Sequence, residues 1–240
     1  MLERVHFEVG ETAVTIISEP EYHGIAKESI FETRDIIQRQ IGLDPLFRDT
    51  LEPYLPAGSI HPILKRMCEA SAMAGVGPMA TVAGAVADMA VRSMRDAGAR
   101  NAIVDNGGDI ALLIEVPVDV GIYSGEFTSG IGFRCEPREG IFGICTSSRT
   151  VGPSISFGRA DSVTVISENV LLADACATRL GNDMVSHREE DLKGAIEQVC
   201  DIEGVEGAFV VMGEKVAMKG RLPHLIRTTE STGRITTREF

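Results

Sequence analysis

Asp174 and Thr178 place a carboxylate and a hydroxyl four residues apart in the run Leu172, Ala173, Asp174, Ala175, Cys176, Ala177, Thr178. On a helix that spacing stacks both oxygens on one face. The small side chains between them leave the backbone open to close approach. A hard divalent cation then fits, since magnesium takes a carboxylate, a hydroxyl, a main-chain carbonyl and phosphate oxygens. An ordinary helix competes as an explanation, with the threonine bonded back to a carbonyl one turn earlier and the aspartate partly exposed.

Two other segments carry chemistry-bearing side chains. Asp105, Asn106, Gly107, Gly108 and Asp109 form a turn signal in which paired glycines admit positive φ and let a ligand approach the backbone. Asn-Gly is also the commonest hairpin signal, so the bracketing carboxylates Asp105 and Asp109 are what point toward a binding role. Gly143 to Arg149 ends a predicted strand in donors, with Thr146, Ser147 and Ser148 able to wrap an anionic ligand or simply to form a solvated turn. Gly152 to Gly158 extends that segment. Arg149 beside Cys145 would favour a thiolate there, whereas a buried cysteine would be inert.

These residues need elements to position them. Val5 to Ile17 predicts a strand or hairpin, Ile25 to Ile41 a helix, and Leu43 to Leu64, rich in proline, short helical pieces. His61 to Ala74 reads as helical. Pro78 suits the first residue of a helix running to about Arg95 and ended by Gly98. Asn101 to Asp105 and Ile110 to Val116 predict a hairpin about the glycine pair. Further strands are expected at Val118 to Tyr123, Ile141 to Thr146, Ser162 to Ser167 and Ala208 to Met212. Helices are expected at Asn169 to Leu180, closed by Gly181, and at Glu189 to Cys200. Gly75 to Ala80 matches a loose dinucleotide-binding pattern, but the preceding segment is helical, so a Rossmann fold is rejected.

Bulk properties narrow the function classes. The chain has 240 residues and a formal charge of -12, which repels nucleic acid and anionic membrane, so a phosphate ligand needs a cation or backbone amides. Five widely spaced cysteines, Cys68, Cys135, Cys145, Cys176 and Cys200, lack a CxxC pair and fit reduced thiols in a cytoplasm. The N-terminus reads as a strand, with no export signal expected. The apolar window from Ala72 to Val91 is interrupted by Pro78 and Asp88 and predicts a buried helix instead of a membrane span. The five histidines show no ligand spacing.

The order of these segments resembles the ApbE-like superfamily, whose characterised members are FAD:protein FMN transferases, and more closely its UPF0280 branch. A Gly/Ala-rich helix ending near Asp88, then NAIVDNGGDI, GICTSS and VTVISENVLLADACATRLG, span roughly Ala74 to Gly181 in the family's order. The family's ADALAT motif stands here as ADACAT. The resemblance implies magnesium at Asp174 and Thr178 with the Ala177 main chain nearby, and FAD or FMN at Asn106, Gly107, Gly108, Asp109, Thr146, Ser147 and Ser148. It implies transfer of FMN from FAD onto a hydroxyl of an acceptor protein. Two departures stand out: Ala83 occupies the place of the family's lysine, and Gly152 to Gly158 lacks its histidine and aspartate.

The expected fold is therefore α/β of the α+β kind, with antiparallel sheets and packed helices in one two-lobed domain over residues 1–227, followed by a polar tail at 228–240. The expected function is an ApbE-like, cytoplasmic, homodimeric flavin- or nucleotide-binding protein, with magnesium-dependent transfer as its chemistry. Asp174 and Cys145 are the catalytic candidates. Two alternatives stand beside it: a non-catalytic scaffold that kept the fold, and a thiol-dependent role for Cys145 in sulfur assimilation, the homocysteine formation that the resemblance also suggests.

Overall fold

The computed structural model describes residues 1–9, 12–56, 58–122, 130–148, 160–186 and 188–228. The segment Gly152 to Gly158, Arg149, Tyr123, His187 and all but the first residue of the polar tail lie outside that set. Eleven strands and six α-helices are described, all the strand pairings being antiparallel.

The chain opens with the hairpin β1 (Glu3–Val9) and β2 (Thr12–Ser18), followed by helix α1 (His23–Leu43). The proline-rich stretch holds only the short α2 (Leu46–Asp49) before α3 (Pro62–Ala74). Gly75, at φ +71°, ends α3 in the left-handed conformation that suits glycine. Pro78 opens a tight 3-10 turn, Pro78–Thr81, and not the α-helix itself; α4 runs Val82–Asp96. The glycine pattern at Gly75 thus joins two helices, with no strand before it.

The predicted hairpin follows as β3 (Ala102–Asn106) and β4 (Asp109–Leu113). Then come β5 (Val118–Ile122), β6 (Ile131–Cys135), β7 (Phe142–Ser147) and β8 (Ser162–Ser167). Helix α5 (Val170–Asp183) starts at Asn169, whose side chain caps the Leu172 N–H, and it continues past Gly181 by two residues. Helix α6 (Glu189–Cys200), β9 (Val205–Met212), β10 (Lys215–Gly220) and β11 (His224–Arg227) complete the chain. Sequence reading missed β6, β10 and β11. The last two strands alternate exposed with partly exposed positions, so no apolar stripe announces them.

One sheet carries eight strands in the order β1-β2-β3-β4-β7-β8-β9-β10, and a second carries β11-β6-β5. Strand alternation sends neighbouring residues to opposite faces of the large sheet. On one face Val14, Val104, Ala111, Cys145, Val163 and Val165 join the helices in the main core. On the other, Leu112, Phe142, Ile144, Ile166 and Phe209 pack against Val120, Ile122 and Phe133 of the small sheet. This is an α+β fold of three layers.

Helix α5 lies within the main core. Ten of its fourteen residues are buried, from Val170 to Gly181, which is why its sequence is apolar or small almost all round. It rests on β7 at Gly143, where a Cβ would come 2.8 Å from Val170 Cα. That close seating brings Asp174 down to the sheet.

Candidate functional site

Asp174 is 7 % exposed, and its Oδ2 accepts a hydrogen bond of 2.7 Å from the Gly84 backbone N–H. Gly84 lies in the first turn of α4, where N–H groups lack acceptors within the helix. Asp174 therefore caps α4 from a different helix, at the end where the dipole favours negative charge. A Cβ on residue 84 would stand 2.9 Å from Asp174 Cβ and 3.1 Å from the Val170 carbonyl oxygen, so glycine is required for this approach. Burial pushes the Asp174 carboxyl up to about 7, against the opposing pull of the Gly84 hydrogen bond.

Asp109 meets Asp174 from the sheet. It starts β4 and stands opposite Cys145 on β7, close to the Cys145 thiol and the Thr146 N–H. Burial, and then the charge of Asp174, drive its carboxyl well above the ordinary range, with Asp105 adding to the effect. The charges of two carboxylates from separate elements thus bear on each other. Among the described residues neither makes an ion pair with a cationic side chain.

The turn beside them is rigidly built. Gly107 and Gly108 sit at φ +68° and +103°, the two positive values that a tight hairpin of this kind demands. The Gly108 N–H donates to Asp105 Oδ1 at 2.9 Å, and the Gly108 carbonyl accepts from the Thr146 N–H at 3.1 Å. Asp105 consequently locks the turn, a structural task beside the binding role that its position suggests. Asn106 is nearly buried and donates from Nδ2 to the Ala83 carbonyl at 3.2 Å, tying the turn to the start of α4.

The remaining candidates divide. Thr178 is half-buried, one turn beyond Asp174 on α5. Ser147 shares the helix-facing side of β7 with Cys145, being paired with Val163. Thr146 instead faces the small-sheet side, where its Oγ1 lies 3.0 Å from Thr164 Oγ1. Ser148 is turned to the Asp161 carbonyl at 2.8 Å. These two side chains are therefore not gathered with Asp109 and Asp174, because alternation along β7 carries Thr146 to the wrong face.

Cys145 is completely buried, and its thiol donates to the Val170 carbonyl at 3.5 Å with Asp109 nearby. Burial and the charges of Asp109 and Asp174 push this thiol well above its usual value. It is held protonated, the opposite of an activated nucleophile. The expected activation by Arg149 falls on a residue outside the described set.

Sequence reasoning missed two features here. It did not foresee Gly84 as the donor to Asp174, nor Asp109 as the carboxylate opposed to it. The second follows only from the β4–β7 register, which no local pattern reveals. Among the described residues no group of three or more His, Cys, Asp or Glu forms a metal cage. Asp109, Asp174 and Thr178 carry hard oxygen donors, the kind that magnesium takes together with water or phosphate oxygens.

The family described as AbpE bacteria matches residues 1–218 of the chain. The UPF0280 protein of Methanocella arvoryzae is 46% identical over 237 residues, covering 98% of this chain and 96% of that protein. The chain belongs to the UPF0280 family. A second UPF0280 protein, from Methanococcoides burtonii, is 46% identical over 225 residues, covering 92% of this chain and 94% of its own length.

Solved structures extend the likeness of this UPF0280 chain to a wider fold. A variant of the flavin transferase ApbE from Vibrio cholerae superposes with a TM-score of 0.58 at 14% identity, over 92% of this chain and 97% of that one. The flavinyl transferase ApbE of Pseudomonas stutzeri gives 0.56 at 14% identity, over 92% and 94%. The fold is ApbE-like.

Among the described residues, no single helix of this UPF0280 chain is long and apolar enough to cross a membrane. The bent pair Pro62–Ala74 and Pro78–Asp96 reaches that length and apolarity together, with a 105° bend. Much of it belongs to the main core, including Met67, Ala74, Ala85, Ala87, Ala90 and Met94.

Proposed function

We propose that this protein binds a flavin, FAD or FMN, or a related nucleotide, through its phosphates and a magnesium ion held at Asp174, Asp109 and Thr178. The observation that carries this reading is that the buried Asp174 and the half-buried Asp109 come together beside the Gly107–Gly108 turn with no cationic partner among the described residues. When bound, the magnesium would neutralise both carboxylates and the charge of a diphosphate. The Gly84 N–H fixes the orientation of Asp174, and Asp105 holds the turn open for a ligand to lie against its backbone. Such a site suits phosphoryl-type transfer of a nucleotide to a hydroxyl of an acceptor protein, chemistry that rests on positioning and charge neutralisation. The names of the Vibrio cholerae and Pseudomonas stutzeri proteins support that direction.

A second reading is a non-catalytic protein that retains the fold. It is favoured by the tie between Asp174 and Gly84, which gives the aspartate a structural task of its own, and by Ala83 at the position where the resemblance implies a lysine. The two readings separate in a calorimetric titration of FAD, FMN and ADP with and without Mg2+. The binding reading expects affinity that requires Mg2+ and falls at least tenfold in Asp174→Asn, an isosteric change that can still accept from Gly84. No binding to folded, ligand-free protein sinks it.

A further inference from the structure

Leu43, Leu46, Leu51 and Leu55, at the end of α1 and around α2, are 83%, 58%, 70% and 88% exposed. After Met1, three of them are the most exposed large apolar residues among those described. Exposed apolar residues such as Met73, Val116 and Val185 stand singly in the sequence, which is ordinary for a folded surface. Four leucines on one short segment are not ordinary.

The segment 43–55 is held in shape from within. Asp44 Oδ1 accepts from the Leu46 N–H at 3.0 Å, and its Oδ2 accepts from the Tyr54 hydroxyl. This carboxylate ties the two ends of the segment, which carry Leu43 and Leu55, to the start of α2, which carries Leu46. Phe47 and Tyr54 are buried in the main core with their rings edge to face at 5.4 Å. Thr50 and Leu51 are seated on Gly77, where a Cβ would come 2.0 Å from the Thr50 carbonyl oxygen. Pro45 and Pro53, both exposed, stiffen the chain further. The leucines therefore stand on a preorganised surface, and covering it orders little chain.

Charge and area both point to a second copy of the chain as the occupant. Arg39, one helical turn before Leu43, and Arg48 are balanced by Asp49 and Glu52, while Asp44 is engaged by Tyr54. The whole chain carries -12, so this is a neutral stretch where two copies can meet without that general repulsion. A twofold interface must be complementary to itself, and an apolar centre edged by both signs of charge meets that demand. Together the leucines expose the equivalent of about three whole side chains, on the order of 300 Å² of apolar surface per copy. A standard interface takes about 800 Å² from each partner, about 65% of it apolar in homodimers. The leucines alone supply over half of that apolar part.

We propose that this leucine face is the contact between two copies of the chain, joined about a twofold axis. Leu43, Leu46, Leu51 and Leu55 form its apolar centre, with Arg48, Asp49 and Glu52 at its rim. None of these residues belongs to the site at Asp174, so the contact needs neither nucleotide nor metal.

Sedimentation equilibrium of the intact chain at micromolar concentration, in chelator and without nucleotide, tests this. The parent is expected at twice the chain mass. Leu43→Lys combined with Leu55→Lys, at exposed positions that spare the fold, should raise the dissociation constant of the dimer about a hundredfold, roughly tenfold for each lost apolar contact. Val216→Lys combined with Met218→Lys, exposed apolar residues on β10, should leave it unchanged. A monomeric parent overturns the proposal, including the case in which the face binds some other protein. A dimer as tight in the Leu43 and Leu55 double variant as in the parent overturns it too. Equal weakening by the β10 changes places the contact elsewhere and also counts against it. Should the leucine double variant not fold, Leu51→Ser takes its place, and an undiminished dimer there is the contrary result.

Discussion

Gly84→Ala sets two effects of opposite sign against each other. Alanine is the better helix former, by about 1 kcal/mol in a helix interior, so propensity alone predicts stabilisation. The new methyl would stand 2.9 Å from Asp174 Cβ and 3.1 Å from both Asp174 Oδ2 and the Val170 carbonyl. Carbon contacts are comfortable near 3.5–4 Å. Helix α5 cannot withdraw, because Val170 already rests on Gly143 and the helix is buried nearly all round. Overpacking costs about 1–3 kcal/mol, and stretching the hydrogen bond from Gly84 to a charged acceptor adds about 1 kcal/mol. After subtracting the propensity gain, the net loss is about 1–3 kcal/mol. Urea unfolding followed by circular dichroism measures it, with Gly194→Ala as the comparison. Gly194 lies inside α6 with nothing within 4 Å of its missing Cβ, so that change should stabilise by about 0.5–1 kcal/mol. Equal midpoints for the two variants would refute the claim that α4 and α5 meet through residue 84.

Stability should depend on pH through Asp174. Its carboxyl titrates near 7 in the folded chain but near the ordinary value when unfolded, so the native state holds the extra proton between about pH 4 and 7. Stability therefore falls as pH rises across that window and levels off above it, by at most about 4 kcal/mol from this group. Urea midpoints between pH 4.5 and 8 check the trend, with roughly those limits set by the two titration points; an unchanged slope in Asp174→Asn contradicts it. Magnesium should restore stability at pH 8 more than at pH 5, since the carboxylates must be ionised to bind it. Asp105→Ala, which releases the Gly108 N–H, should destabilise by about 1 kcal/mol in the same assay; no loss would mean the turn needs no lock. Iodoacetamide at neutral pH should leave native Cys145 unlabelled while modifying the partly exposed Cys200, as read by peptide mass spectrometry. Fast labelling of Cys145 would return the thiol reading to contention.

The elements around the site were legible because their signals are local. The Asn106–Gly107–Gly108 turn, the helix start at Asn169 and the run of small residues in α5 each follow from short-range chemistry, and the hairpin β3–β4 and helices α5 and α6 lie close to where periodicity puts them. What escaped depends on which elements meet. The face on which Thr146 falls is set by strand parity relative to Cys145, and one residue decides between the helix layer and the small sheet. The opposition of Asp109 and Asp174 needs the β4–β7 register together with the seating of α5 on Gly143. Strands β10 and β11 escaped because an exposed edge carries little apolar pattern.

The central claim is that Asp109 and Asp174 together hold a divalent cation beside the glycine turn. Electron paramagnetic resonance of added Mn2+, which loses its free-ion signal on binding, tests this directly in the presence of ADP. The account predicts one tightly bound ion per chain in the parent, and at least tenfold weaker binding in both Asp109→Asn and Asp174→Asn. A free-ion signal unchanged by the parent protein, or bound ions unaffected by either substitution, would contradict it.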